Sequence, residues 1–324
     1  MTQRITMRAH GSPDVLEVGQ IDLGPPGDGE VRLKHTAIGV NFVDIYHRTG
    51  LYPVPCLPVT PGVEGAGVVE AVGAGVSNFS LGDRVAYAGL PIGGYAEARN
   101  ISAERLVAIP DDIDDRTAAA SMLRGVTAHM LLHTVHEVGA GSTILVHAAA
   151  GGLGMMLTRW AKSLGAIVIG TAGTRAKAEA ASAGGADHVI LYRDTDFVPE
   201  VLRLTGGRGV DVAYDGIGGD NLLKTLDSVR PFGTVASVGQ AAGSLPPISL
   251  VDIGPVRSLA VARPSVFRYA SDTDRYRIAV AATFQKIRDG LAISIDREME
   301  LAEAKEAHVL LESGSTTGAM LLRP

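Results

Sequence analysis

Residues 144–154 read Ile-Leu-Val-His-Ala-Ala-Ala-Gly-Gly-Leu-Gly. Ile144–His147 is a short apolar run of strand character, and the small residues after it form a turn. Behind the turn Leu153, Met156, Leu157, Trp160, Ala161 and Leu164 recur at helical spacing. A strand that passes through a glycine-rich turn into a helix is the setting in which G-x-G-x-x-G holds a dinucleotide. Small residues let the backbone approach a pyrophosphate, and the first amides of the helix attract its charge. Ala149 stands where that pattern has its first glycine. Alanine fits there if the turn needs no positive φ at that position. The stretch therefore predicts a Rossmann unit; the alternative is a tight turn without a ligand.

The coenzyme follows from the end of the next strand. In NAD-binding units an acidic residue about 20 positions beyond the fingerprint takes the ribose hydroxyl. Here Gly154 leads to Gly173, followed by Thr174, Arg175 and Lys177. No carboxylate repels a 2′-phosphate and two cations are placed to pair with it, so NADP(H) is the expected cofactor.

Working outward, Ile167–Thr171, His188–Tyr192, Val210–Tyr214 and Thr234–Val238 are further strand candidates with helical stretches between them, as in a parallel βαβ sheet. The first ~120 residues have a different, β-rich texture of short strands. Val31, Leu33, His35 and Ala37 alternate with Arg32, Lys34 and Thr36, and shorter runs follow at Gly67–Val72, Asp83–Ala88 and Tyr95–Arg99. A long helix is expected near Tyr276–Asp289, and short segments after it return to the first domain.

Composition narrows the function classes. The 324-residue chain is 46% hydrophobic and 20% charged, with a net charge of −6. That length suffices for two domains. The acidic balance gives nucleic acid or an anionic membrane no footprint. No apolar run reaches the ~18 residues of a membrane span. The start Met1-Thr2-Gln3-Arg4 lacks signal-peptide character, and the single cysteine, Cys56, forms no intrachain disulfide. A cytoplasmic location is expected, with Cys56 inert.

Residues 41–67 carry a second pattern: Asn41-Phe-Val-Asp-Ile-Tyr46-His-Arg-Thr-Gly-Leu-Tyr52-Pro, a proline-studded loop, then Pro61-Gly-Val-Glu-Gly-Ala-Gly67. This segment resembles the active-site segment of medium-chain alcohol dehydrogenases with its zinc ligands replaced. Asn41 stands where those enzymes carry cysteine and Val63 where they carry histidine. Zinc needs several Cys, His or carboxylate ligands converging on one ion, and one cysteine cannot build a thiolate-rich site. Together with Gly82-Asp-Arg-Val85, His147-Ala-Ala-Ala-Gly-Gly-Leu-Gly154 and Arg263-Pro264, the segment resembles the zinc-free quinone oxidoreductases, the group that includes ζ-crystallin. The resemblance runs through essentially the whole chain.

The resemblance implies a Rossmann doubly wound parallel sheet inserted into a β-rich, GroES-like catalytic domain. Residues 1–124 and 265–324 would form the catalytic domain and residues 125–264 the NADP(H)-binding domain. It implies NADPH in the cleft, usually in a homodimer, and no metal. By position, Ala150, Gly151, Gly152, Leu153 and Gly154 would line the pyrophosphate, and Gly173, Thr174, Lys177 and Tyr192 the 2′-phosphate. Asn41, Thr127, Gly239 and Gln240 would lie near the nicotinamide. Asn41, Asp44, Tyr46, Tyr52 and Arg263 resemble the substrate-pocket set. Four departures bear on pocket shape: Arg159 in place of glutamine, His129 and Met130 in place of aromatics, Val238 in place of an aromatic, and Arg124 in place of lysine.

A quinone is a strong hydride acceptor and needs little Lewis-acid help. The expected reaction is hydride transfer from NADPH to a quinone or electron-poor enone, with Tyr46, Tyr52 or Asn41 hydrogen-bonding the developing oxyanion. Duller roles compete at each position. Tyr46 and Tyr52 can pack with wetted hydroxyls, Asn41 can hold its own loop, and Asp44 and Glu64 can accept structural hydrogen bonds, the favoured reading for Glu64. His129, His133 and His136 lie near one helical face and read as a polar stripe rather than metal ligands. Two other functions stay open: C=C reduction of enones or alkenals, and a non-catalytic NADPH-binding structural or regulatory role.

Overall fold

The alternation around Val31 forms the longest strand of the first of two units. The computed structural model describes residues 1–324, and its units are Met1–Val126 with Phe267–Pro324, and Thr127–Val266. In chain order the first unit holds β1 (Thr2–Met7), β2 (Leu16–Ile21), β3 (Glu30–Val40), helix α1 (Phe42–Thr49), β4 (Glu64–Val72), β5 (Arg84–Ala88), β6 (Ala98–Ser102) and β7 (Val107–Ala108). Helix α2 spans Asp115–His129 and continues as a π-helical turn over Met130–Val135.

The second unit then supplies β8 (Thr143–Val146), α3 (Gly152–Ser163), β9 (Ile167–Ala172), α4 (Arg175–Ala183), β10 (His188–Leu191), α5 (Phe197–Leu204), β11 (Val210–Asp215), α6 (Asp220–Leu226), β12 (Val229–Ser237), α7 (Leu250–Ile253) and β13 (Ala260–Ala262). After α8 (Val266–Ala270) the chain returns to the first unit through α9 (Thr273–Arg288), β14 (Ile295–Glu300), α10 (Ala304–Glu312) and β15 (Ala319–Arg323). Asp272 caps α9 by accepting the Asp274 and Arg275 amides, at 3.1 Å each.

In the first unit β14-β15-β3-β4-β5-β7 form one sheet, with β6 also paired to β3. The alternation predicted for β3 is realised, with Val31, Leu33, His35 and Ala37 buried and Lys34 and Thr36 exposed. Val31 and Leu33 pack with Val69, Val85, Ile101 and Leu106, and a second cluster joins Ile5, Met7, Ile38 and Val40 to Ala304, Ala307 and Leu311 of α10. His35 survives in this core because both ring nitrogens are matched: Nδ1 to the Ala96 carbonyl at 2.7 Å and Nε2 to the Tyr87 hydroxyl at 2.9 Å.

One expectation shifts. Tyr95–Arg99 is not a strand; β6 starts at Ala98. Gly93 at φ 133° redirects the chain, and the Tyr95 amide bonds the Pro61 carbonyl at 2.9 Å while its ring turns into the core.

In the second unit all strand pairs are parallel, in the order β10-β9-β8-β11-β12-β13. The chain starts in the middle at β8, works to one edge, and resumes on the other side at β11. The carboxyl ends of β8 and β11 therefore flank the switch point where such sheets bind ligands. Leu145, Ile169, Ala213 and Val235 from four adjacent strands share a core with Val201 of α5 and Leu222 of α6. No helix is long and apolar enough to cross a membrane.

Candidate active site

The fingerprint turn connects β8 to α3. Its left-handed residue is Ala148, at φ 51°, not Ala149. The first-glycine position therefore has no conformational need for glycine. Its spatial need is met from the neighbouring strand: a Cβ on Gly170 of β9 would fall 2.7 Å from the Ala149 methyl. The methyl thus occupies the space that Gly170 leaves empty. Gly154 is the strict position, since a Cβ there would collide with the Ala148 carbonyl and lie 2.8 Å from Ala149 Cα. Ala150 is buried, Gly151 is the N-cap of α3, and Gly152 and Leu153 open its first turn half-buried. A bare backbone concavity ahead of a 12-residue helix suits a pyrophosphate.

His147 braces this turn from behind. Its Nδ1 lies 3.0 Å from Thr171 Oγ1 and its Nε2 2.9 Å from Thr225 Oγ1, joining the ends of β8 and β9 to α6. Burial lowers its pKa, so the ring stays neutral.

Beyond β9, a Cβ on Gly173 would sit 2.8 Å from the Tyr192 hydroxyl and 3.3 Å from Arg193 Nε. A hydroxyl and a guanidinium therefore converge on a bare glycine at the strand end. Thr174 is the N-cap of α4, accepting the Lys177 amide at 3.3 Å, and Arg175 is exposed on the first turn. Gly173, Thr174, Lys177 and Tyr192 fall in one corner with Arg193, which the sequence reading missed. Arg193 lies outside the strand-end motif, and only the parallel pairing of β9 with β10 brings it to Gly173.

A third element lies at the carboxyl ends of β11 and β12. Asp215 Oδ1 accepts the amides of Ile217 and Gly218 at 2.7 and 3.0 Å, and its Oδ2 accepts Asn221 Nδ2 at 3.2 Å. Its carbonyl receives the Val238 and Gly239 amides at 2.7 and 3.2 Å. Gly239 and Gln240 are laid on this loop so closely that a Cβ on Gly239 would stand 2.7 Å from the Gly216 carbonyl. Arg263 Nη1 donates to Ser237 Oγ at 2.9 Å, and its Nη2 reaches Gln240 Oε1 at 3.5 Å. Arg263, Gly239 and Gln240 thus form one cluster. Asp215 is a second residue sequence reading missed, because a lone aspartate at a strand end carries no local signal. Thr127 is buried in α2.

On the first unit, Asn41 and Asp44 form the capping box of α1. The Asn41 amide donates to Asp44 Oδ2 at 2.9 Å, and its side chain donates to Glu64 Oε2 at 2.7 Å. Glu64 is fully buried, accepts the Leu123 amide at 2.6 Å, and faces Arg124 Nη1 at 3.3 Å. Arg124 also donates to the Ala120 and Val40 carbonyls. Burial raises the Glu64 pKa, against Arg124 and its donors. Burial likewise raises Asp44 to about 7, against the Asn41 and Tyr95 hydrogen bonds. Asp44 and Asn41 are thus committed to backbone and buried partners.

Tyr46 and Tyr52 lie apart from this polar knot in an aromatic cluster. Their rings are 5.1 Å apart; Phe42 lies 6.4 Å from Tyr46, and His47 lies 6.2 Å from Tyr52 and stacks on Phe267 at 6.0 Å. Tyr46 is buried and Tyr52 half-buried.

The remaining flagged residues also find places. His129 and His133 sit 4.8 Å apart, each edge-on to Trp160, while His136 bonds Thr234 Oγ1 at 3.1 Å. Met130 is buried, and Arg159 and Val238 are half-buried. Cys56 is exposed and free.

Comparison with known proteins places this geometry among relatives. Residues 27–111 match the alcohol dehydrogenase GroES-like domain, and residues 152–282 match the zinc-binding dehydrogenase family. The chain is 43% identical to a quinone oxidoreductase of Pseudomonas aeruginosa, with all of both chains covered. It is 42% identical to a 2-haloacrylate reductase of a Burkholderia species, over 100% of this chain and 99% of that protein. The crystal structure of Escherichia coli quinone oxidoreductase complexed with NADPH superposes with a TM-score of 0.96 at 39% identity, covering 99% of this chain and 100% of that one.

Proposed function

The chain belongs to the quinone oxidoreductase family of the medium-chain dehydrogenase/reductase superfamily, and from that premise we propose that it reduces quinones with NADPH by direct hydride transfer. The observation that carries the reading is the corner at Gly173. The strand end there bears no carboxylate, and Tyr192 and Arg193 converge on it. Such a corner suits a 2′-phosphate and disfavours the bare ribose of NADH.

When bound, NADPH supplies the hydride. A quinone accepts it as two electrons and one proton, and one further proton completes the hydroquinone. Gly151, Gly152 and Gly154 admit the pyrophosphate, and the first amides of α3 balance its charge. Gly173, Thr174, Lys177, Tyr192 and Arg193 hold the 2′-phosphate. Thr127, Gly239 and Gln240 orient the nicotinamide, and Arg263 fixes Gln240. Tyr46 and Tyr52 donate hydrogen bonds to the oxyanion that develops on the acceptor, and Asp44 serves by capping the helix that bears Tyr46. Residues 1–124 and 265–324 thus act on the acceptor and residues 125–264 on the coenzyme.

The chemistry is read as metal-free. The Asn41 side chain is engaged with Glu64, and Val63 offers no donor atom. A homodimer is supported by the edge of the parallel sheet, where β13 leaves one side unpaired. Phe232, Leu250, Val251 and Val256 are 80–90% exposed in this unit. A cytoplasmic location agrees with the free Cys56 thiol.

The test is steady-state oxidation of NADPH and, in parallel, NADH with 1,4-benzoquinone and 9,10-phenanthrenequinone, corrected for the uncatalysed rate. Turnover with NADPH and little with NADH is expected; tight NADPH binding with no quinone turnover sinks the reading. A second reading, reduction of an electron-poor C=C bond, is favoured by the 42% identity to a 2-haloacrylate reductase. 2-Chloroacrylate and a simple enone in the same assay decide between them.

A further inference from the structure

One buried polar chain grips helix α1 at both ends. At its start, Asp44 Oδ2 accepts the Tyr95 hydroxyl at 3.1 Å as well as the Asn41 amide. On its other side the Tyr95 oxygen lies 3.0 Å from His308 Nε2. His308 Nδ1 faces Arg48 Nη1 at 3.4 Å, and Arg48 stands in the last turn of α1. Arg48 is fixed in turn by a two-pronged pair with Glu312 at 2.8 and 2.6 Å and by the Gly11 carbonyl at 3.1 Å.

The chemistry sets the direction of every bond. A guanidinium has only donors, so His308 Nδ1 accepts from Arg48 and its Nε2–H donates to Tyr95, leaving the Tyr95 proton for Asp44. Burial, and then Arg48, lowers the His308 pKa to about 3, so the ring stays neutral throughout the neutral range. Tyr95 and His308 are both fully buried, and their rings meet edge-on at 5.7 Å.

Helix α1 has eight residues and is too short to hold its own direction. Its pose is set by what its ends are tied to. Tyr46 sits between the two ties, two residues after Asp44 and two before Arg48.

We infer that Tyr95 and His308 are positioning residues for the reaction, holding α1 so that the Tyr46 hydroxyl meets the oxyanion of the reduced acceptor. The inference rests on the reading of Tyr46 as an oxyanion donor and assigns the residues that make it effective. Neither belongs to the aromatic cluster around Tyr46. They act through the helix, by removing alternative poses that would break the chain of bonds from Asp44 through Tyr95 and His308 to Arg48.

Tyr95→Phe tests it, since it keeps the ring and deletes the oxygen that joins Asp44 to His308. kcat with 1,4-benzoquinone is expected to fall about threefold to tenfold, the scale of losing one or two buried hydrogen bonds and a small misplacement. The Kd for NADPH, read by fluorescence titration, stays within about twofold, because the loss acts on the transition state. The decisive readout is the cycle with Tyr46→Phe: in that background Tyr95→Phe has almost no further effect, because both act through one hydroxyl.

If Tyr46→Phe slows turnover but Tyr95→Phe does not, or if the two losses multiply, the positioning role is overturned and the Tyr46 reading stands. If Tyr46→Phe is itself silent, the Tyr46 reading falls and the inference with it. Should Tyr95→Phe fail to fold, His308→Gln, which keeps a donor and an acceptor, runs through the same cycle.

Discussion

Replacing Arg193 by alanine should separate the two coenzymes. Arg193 Nε lies 3.3 Å from where a Cβ on Gly173 would stand, beside the Tyr192 hydroxyl, where a 2′-phosphate would rest. A hydrogen bond between a guanidinium and a phosphate contributes ~1.5–3 kcal/mol. Arg193 is exposed, so solvent screening puts it at the lower end. A loss of ~1.5 kcal/mol corresponds to about a tenfold rise in KM for NADPH. NADH lacks that phosphate and should change by less than about twofold. The assay is the initial rate of coenzyme oxidation at saturating 1,4-benzoquinone, with Kd by fluorescence as a check. The wild-type KM for NADPH should also rise with salt more steeply than the variant's, since a screened charge pair has been removed. Equal changes with NADPH and NADH, or no change with NADPH, would refute the assignment of this corner to the phosphate.

Other outcomes follow from the buried groups. Gly154→Ala should abolish NADPH binding in a fluorescence titration while leaving the sheet folded, because the new methyl collides with backbone at Ala148 and Ala149. Glu64→Gln should destabilise the protein by ~3–5 kcal/mol in urea unfolding, because Arg124 is left buried without its countercharge, and adding Arg124→Met should recover much of the loss. Asp44 is raised by burial from 3.8 to about 7. Its contribution is full below its unfolded pKa and is lost as pH rises to about 7, so the stability gained by Asp44→Asn should grow by ~2–3 kcal/mol between pH 5 and pH 7.5. His35 and His308 run the other way: burial lowers both to about 3, so stability is lost as pH falls from 6.5 toward 3, measurable as falling Tm. Val256→Glu should turn the exposed apolar edge beside β13 into a charged one and shift the sedimentation of the proposed homodimer toward monomer.

The sequence by itself determined the fold class and the kind of coenzyme, because both are written in local patterns. A strand, a small-residue turn and an amphipathic helix sit within one βαβ unit, and the missing acid after β9 lies in the same unit. The period of two over Val31–Ala37 of β3 likewise reported which face is core. The site was legible only as separate segments. Asn41, Asp44, Tyr46 and Tyr52 were named together because they share one stretch, yet nothing local divides them into buried caps and aromatic cluster. That division comes from Glu64 and Tyr95, 23 and 51 residues from the groups they hold. The tolerance of Ala149 was decided by Gly170 on the next strand, and Arg193 reaches Gly173 through the pairing of β10 with β9.

The longest ties, from Arg48 to His308 and to Glu312, span 260 and 264 positions and depend on a helix from the far end of the chain. Periodicity and spacing report which face of an element is buried. They carry no record of which distant donor meets which acceptor, because that pairing exists only once the chain has closed on itself. Tertiary structure alone decided how the reactive side chains are held, since a buried polar group takes its role from its partner.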